Sequence, residues 1–401
     1  MKETIEEKID ELLTRGVEHI YPSRDKLKSA LLSGKKISLY TGVDPTAPTL
    51  HIGHGVFLRK MRGFQDLGHR VILLIGDFTG LIGDPTGKSD TRKQLKRGEL
   101  LKNCKNYVRQ AGKILDFKNK KNPPQVLYNS KWLSKLTLED VISLASHFTV
   151  QQMLERDMFQ SRMREGRPVH IHEFLYPLMQ GYDSVAMNVD MEVGGNDQTF
   201  NMLTGRTLMK ILKNKEKFVL ATKLLADPTG RKMGKTEGNM ITFDDKANEM
   251  YGKVMSWGDG MIFSGLEVLT DMPTQEIEGL KNKTISGSLN PRDAKMVLAK
   301  EVVKIYHGDE EALGAEEFFI KAFQKKEVPA EMEEVYVKKG SAIGDILIEQ
   351  KKVNSKSGLA RLIKEGSIDI DGKKVKEANY PIEKDSALRV GKKKFLRLKI
   401  K

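Results

Sequence analysis

A single cysteine, Cys104, stands in 401 residues. That scarcity excludes an internal disulfide and a cysteine-rich metal site, and it fits a reducing, cytoplasmic compartment. Long apolar runs are missing too. The strongest, VILLIG at 71–76, is far too short to span a bilayer, so no membrane partner is expected. The N-terminal stretch MKETIEEKIDELL is acidic and amphipathic, without the basic-then-apolar order of an export signal. No repeat at solenoid periods is visible. Nor does any constellation read convincingly as a catalytic triad or an acid–base dyad.

What the chain does have is an ordinary apolar fraction of 39%, enough for two or three domains with proper cores. It also has basic charge, net +14, unevenly placed. From Val335 onward there are 18 Lys or Arg against 8 Asp or Glu, so +10 of that excess lies in the last 67 residues. A basic terminal module beside a near-neutral body implies a tethered grip on a polyanion, nucleic acid above all.

The first half alternates strand-like and helix-like segments. ISLYTG (37–42) reads as a buried strand, and HIGHGVFLRKMRGFQDLG as an amphipathic helix after the loop DPTAPT. HRVILLIGD and MNVDMEVGG read as further strands, the latter followed by a helix opening at Asn196 or Asp197. Strand, glycine-rich loop and helix in repetition predict an α/β, Rossmann-like parallel sheet with its ligand at the strands' carboxyl ends. Residues from about 95 to 185 read as a mainly helical insertion. The expected organisation is a catalytic domain over 1–230, a lysine-motif loop and α-helical domain over 231–325, a linker over 326–340, and a small α+β domain over 341–401. In that last unit Leu359, Leu362 and Ile363 share a helical face, and SIDIDGKKV should turn at Asp371-Gly372.

The chemistry-bearing motifs fall at the strand ends. His51, Gly53 and His54 form HIGH at a helix start, where free backbone N–H groups and the dipole favour phosphate. Imidazole donors there can follow a triphosphate, and Gly53 lets a nucleotide approach the backbone. Lys232 and Lys235 sit in KMGKT, two lysines three apart that can close over a leaving pyrophosphate. GDPTGKS (83–89) and GRKMGKT (230–236) imitate a P-loop, but each has three residues between its glycines where that motif has four. Tyr176, Gln180 and Asp183 lie at i, i+4 and i+7, one face of an otherwise apolar helix. This is either an internally bonded buried face or the floor of a polar pocket. Asp84, Lys88 and Arg92 follow one strand, and GGNDQ, containing Gly195, Asp197 and Gln198, follows another.

HIGH with KMGKT some 180 residues downstream resembles the signature pair of class I aminoacyl-tRNA synthetases; the usual KMSKS is altered at its third and fifth positions. YTGVDPTAPTLHIGHG, TGLIGDPTGKSDTR, YPLMQGYDS and GGNDQ resemble the tyrosyl member of bacterial type, over essentially the whole chain. The resemblance implies activation of tyrosine by ATP, with Mg²⁺ accompanying the ATP and no metal held by the protein, then transfer to tRNA by a homodimer. Carried over by motif, Tyr40 and Asp183 would hold the phenol hydroxyl. Asp84, Tyr176 and Gln180 would take the ammonium group, with Gln198 near the carboxylate. Asp197 and Gly195 would face the ribose, Asp44 and Gly53 the nucleotide. Thr46, His51, His54, Lys232 and Lys235 would serve the phosphates, and Lys88 and Arg92 would assist in the transition state. The helical domain would bind the anticodon, and the last 60 residues look like the RNA-binding module of small-subunit ribosomal protein S four. Glu192 departs from the glutamine that several relatives carry. A tryptophanyl enzyme and a non-catalytic RNA-binding relative are the alternatives.

Overall fold

The computed structural model describes residues 4–84, 97–226, 240–324, 333–350, 352–353, 355–391 and 394–401. It divides into two compact units, Met1–Lys246 with Lys253–Gly308, and Ala247–Gly252 with Asp309–Lys401.

The first unit is built on a six-stranded sheet: β1 (Val17–Tyr21), β2 (Ser38–Val43), β3 (Arg70–Ile75), β4 (Gln125–Tyr128), β5 (Met191–Gly195) and β6 (Phe218–Thr222), in spatial order β1-β6-β5-β2-β3-β4. β2 through β6 run parallel, and β1 pairs antiparallel with β6 at one edge. The Rossmann-like expectation holds, as a mixed rather than purely parallel sheet. Five of the six residues of β3 are buried, the continuous apolar run that a strand covered on both faces requires. From β2 the chain moves outward through β3 to β4, then returns to place β5 on β2's other side. The crevice between β2 and β5 is therefore the switch point of a doubly wound sheet, where ligands bind.

Three helices matter most for that crevice: α1 (Ile52–Asp66), α2 (Ile171–Met187) and α3 (Thr199–Lys213). α1 opens on HIGH. α2 opens with a reciprocal cap between His170 and Glu173. A one-turn 3₁₀ segment, Asn196–Gln198, precedes α3.

Two boundaries differ from expectation. The helical insertion contains β4, which adds to the sheet beside β3; its short QVLY stretch carries too little pattern to stand out among helices. The range expected as a helical domain, 231–325, is divided between the two compact units: Lys253–Gly308 falls with the sheet, and Ala247–Gly252 and the residues from Asp309 fall with the second unit.

The second unit holds a five-stranded sheet, β7 (Glu333–Val337), β8 (Ile368–Ile370), β9 (Lys373–Lys374), β10 (Ser386–Val390) and β11 (Lys394–Ile400), in order β7-β11-β10-β8-β9. β8 and β9 form the expected hairpin, with Asp371 at φ 49° and Gly372 at φ 80°. Positive φ at both loop residues is the signature of a type I′ turn. Leu359 packs with Ile343, Leu347, Ile368 and Leu388, and Leu362 and Ile363 lean on the same cluster. The expected linker over 326–340 is corrected by β7, which pairs parallel with β11 from Glu333 to Val337. Its charged composition disguised an edge strand.

Candidate functional site

At the carboxyl ends of β2 and β5 opens a cavity of about 310 Å³. Thirteen expected residues line it: Tyr40, Asp44, Thr46, His51, Gly53, His54, Asp84, Tyr176, Gln180, Asp183, Gly195, Asp197 and Gln198. Lys88, Arg92, Lys232 and Lys235 lie outside the described residues.

One end is deeply buried and made of paired polar groups. Asp183, 2% exposed, accepts from Trp132 Nε1 at 2.7 Å and from Asn129 Nδ2 at 3.2 Å. Burial pushes its carboxyl well above the usual range, against the pull of those two donors. Tyr40, fully buried on β2, places its hydroxyl 2.9 Å from Ser184 Oγ. Its phenol is held well above its ordinary value by burial, reinforced by the negative charges of Glu192 and Asp183. Gln180 Nε2 donates to Glu192 Oε1 at 3.0 Å.

The middle of the cavity is bridged. Tyr176 donates to Asp44 Oδ2 at 2.8 Å, and Thr79 Oγ1 to Asp44 Oδ1 at 2.7 Å. Gln198 Nε2 donates to Asp84 Oδ2 at 2.6 Å, while the Arg156 guanidinium stands 3.8 Å from Asp84 Oδ1. The carboxylates of Asp44 and Asp84 thus flank a polar passage suited to an ammonium group.

The other end is the half-buried start of α1. The rings of His51 and His54 lie against each other, tilted by 43°, with centroids 3.8 Å apart. His54 Nδ1 lies 3.0 Å from the backbone nitrogen of His51, whose N–H it can accept, and 3.3 Å from the His51 carbonyl oxygen. A Cβ at Gly53 would lie 3.0 Å from the His51 ring, so glycine here makes room for the histidine as well as for a ligand.

Supports missed in the sequence come from remote segments. Asn129 ties Asp183 to the site, donating also to Thr79 Oγ1 at 3.0 Å and accepting from the Phe78 N–H at 2.9 Å. The start of α2 is anchored by Arg162, whose Nη2 donates to Glu173 Oε2 at 2.8 Å with both side chains buried. No local spacing links these partners. The one available signal was that a buried carboxylate on an apolar helix demands donors somewhere.

A cavity with a buried polar end and a helix N-terminus at its mouth suits an amino-acid-activating enzyme, and the comparisons agree. Residues 32–324 match the family model for class I tRNA synthetases, tryptophan and tyrosine type. The chain belongs to this family. Within it the chain is 45% identical to the tyrosine–tRNA ligase of Thermotoga maritima over 379 residues, covering 94% of both chains. Tyrosine–tRNA ligase 2 of Vibrio cholerae is also 45% identical, with 97% of this chain and 98% of that one covered. The solved structure of a C-terminally truncated mitochondrial tyrosyl-tRNA synthetase from Aspergillus nidulans superposes with a TM-score of 0.66 at 25% identity, over 79% of this chain and 94% of that one. The synthetase fold is thus shared with tyrosyl enzymes.

Proposed function

We propose that this synthetase selects tyrosine at the buried end of the cavity, activates it with ATP at the α1 end, and charges tRNA. The observation that carries the reading is Asp183, an acceptor buried beside Tyr40 and held by Trp132 and Asn129. A tyrosine phenol can donate to Asp183 and accept from Tyr40. Phenylalanine would offer neither bond, leaving one acceptor site on Asp183 and the Tyr40 hydrogen unanswered by the ligand, a penalty for which tyrosyl-tRNA synthetases are themselves the standard illustration. Asp84, Tyr176 and Gln180 then take the ammonium group and Gln198 neighbours the carboxylate.

The tyrosine carboxylate, already ionised near neutral pH, attacks the α-phosphorus of ATP, and pyrophosphate leaves. No general base is required. The task left to the protein is positioning and charge stabilisation, from His51, His54, Thr46 and the α1 N-terminus. Lys232, Lys235, Lys88 and Arg92 join them in this reading. Asp44, Gly53, Gly195 and Asp197 serve the nucleotide and its ribose, and Mg²⁺ arrives with the ATP. A ribose hydroxyl of the tRNA's terminal adenosine then attacks the adenylate.

The helices after the lysine motif serve the anticodon, and the basic second unit grips tRNA phosphates like the ribosomal module it resembles. A homodimer is supported by Leu138, Ile142, Val150 and Ile171, each more than 60% exposed on the helices ahead of and including the start of α2. Among the described residues no helix is long and apolar enough to cross a membrane, and the setting of the reaction is the cytoplasm. Incubation with ATP, radiolabelled tyrosine and tRNA should give acid-precipitable tyrosyl-tRNA; label that stays soluble while pyrophosphate is released would sink the transfer step.

A further inference from the structure

Ser184, Glu192 and Lys217 take no part in the chemistry above, yet they meet beneath Tyr40. Lys217, just ahead of β6, is completely buried. Its ammonium faces Ser184 Oγ at 2.7 Å, the Met202 carbonyl at 3.2 Å and the Glu192 carboxylate. It also stands 5.7 Å from the centre of the Tyr40 ring. Room for this group exists because α2 and α3 cross on glycines. A Cβ at Gly205 would lie 2.6 Å from Lys217 Nζ and 2.9 Å from Ser184 Oγ. At Gly181 a Cβ would come within 3.2 Å of the Gly205 nitrogen. A buried ion pair is costly to desolvate and seldom stabilises more than apolar packing would, so stability alone is a weak reason to build one.

The direction of its hydrogen bonds suggests a better one. An ammonium group can only donate, and its three hydrogens match three acceptors. Ser184 Oγ therefore accepts from Lys217 and must give its own hydrogen elsewhere. The hydroxyl in reach is that of Tyr40, at 2.9 Å. With its oxygen accepting from Ser184, Tyr40 has its own hydrogen to give, either toward Glu192 or toward an oxygen in the cavity. We propose that Lys217 and Ser184 are positioning residues that fix this polarity, Lys217 to Ser184 to Tyr40, and so make Tyr40 a donor to the phenol oxygen while Asp183 accepts the phenol hydrogen. Glu192 opposes the burial that pulls the ammonium below its ordinary value and, through the bond it accepts from Gln180, couples the relay to the wall that receives the amino group. The inference rests on the reading of Tyr40 and Asp183 as the phenol-binding pair.

The test is pyrophosphate exchange by the full chain with tyrosine and with phenylalanine, comparing wild type with Tyr40→Phe, Ser184→Ala and the double variant Lys217→Met/Glu192→Gln. Loss of the relay should raise KM for tyrosine and lower the tyrosine-to-phenylalanine ratio of kcat/KM about tenfold, the scale of one misdirected buried hydrogen bond. KM for ATP should stay within about twofold of wild type, since uniform damage and a lost specific contact separate in this way. General loosening of the scaffold would lower both amino acids alike and leave the ratio intact. The double variant replaces both buried charges with neutral groups of similar size, and it decides the matter if Ser184→Ala fails to fold. A wild-type ratio in the folded relay variants, with the ratio lost in Tyr40→Phe, would overturn the relay and leave the phenol pocket standing. A wild-type ratio in Tyr40→Phe as well would remove the phenol reading, and the relay with it.

Discussion

At its buried end the cavity is lined by polar groups that already have partners: Asp183 with Trp132 and Asn129, Tyr40 with Ser184, Gln180 with Glu192. At the α1 end it is lined by half-buried histidines whose tilted rings touch at a helix start. The contrast follows from the two tasks. Recognising one hydroxyl requires donors and acceptors that cannot turn to water when the wrong ligand enters, so they must be buried and held. Stabilising phosphates that change shape requires donors and dipoles aimed at charge, with room to follow it. Substitutions at the two ends should therefore fail in different ways.

The largest effect belongs to Asp183→Ala, which should abolish preference for tyrosine together with activation, read as pyrophosphate exchange. A variant still discriminating normally would remove Asp183 from the pocket. At the other end, His54→Ala should lower kcat for adenylate formation about a hundredfold, the usual cost of one lost transition-state donor. The KM for tyrosine should hardly move; a rise in that KM with kcat preserved would place His54 in ground-state binding instead.

Between these lies the anchor of α2. Burial raises the Glu173 carboxyl, but Arg162 and the His170 backbone N–H pull it down further, to a net position below its unfolded value. Its contribution is therefore present above the unfolded value and lost as pH falls through the folded one. Glu173→Gln, which leaves Arg162 buried without a carboxylate, should cost about 3 kcal/mol at pH 7. The two proteins should converge in denaturant melts toward acid pH; a gap that persists there would show that charge is not the cause.

The smallest effect on activation is expected from removing the second unit's sheet. Deletion from residue 325 onward, which also takes β7, should spare exchange and impair tRNA charging. Charging at wild-type level would contradict the RNA-gripping role.

The same contrast explains what could be read in the sequence. The α1 end is local: HIGH declares a strand, a loop and a helix start within a few residues, and the structure places them so. On α2 the i, i+4, i+7 spacing put Tyr176, Gln180 and Asp183 on the cavity face. What holds those residues was not legible. Trp132 and Asn129 arrive from beyond β4, a strand hidden in a helical stretch. Lys217 and Ser184 have no spacing that marks them as partners, and Glu192 stands out only by its departure from the glutamine that several relatives carry. β1 and β7 were missed because edge strands carry polar faces and short patterns. Polar partners that meet only in three dimensions leave no period to find.

The measurement that bears most directly on this division of labour is pyrophosphate exchange by the purified chain offered tyrosine, phenylalanine and tryptophan separately. Exchange with tyrosine alone is the expected result. Exchange with tryptophan, or equal exchange with tyrosine and phenylalanine, would contradict the claim that the buried end is built to read a phenol.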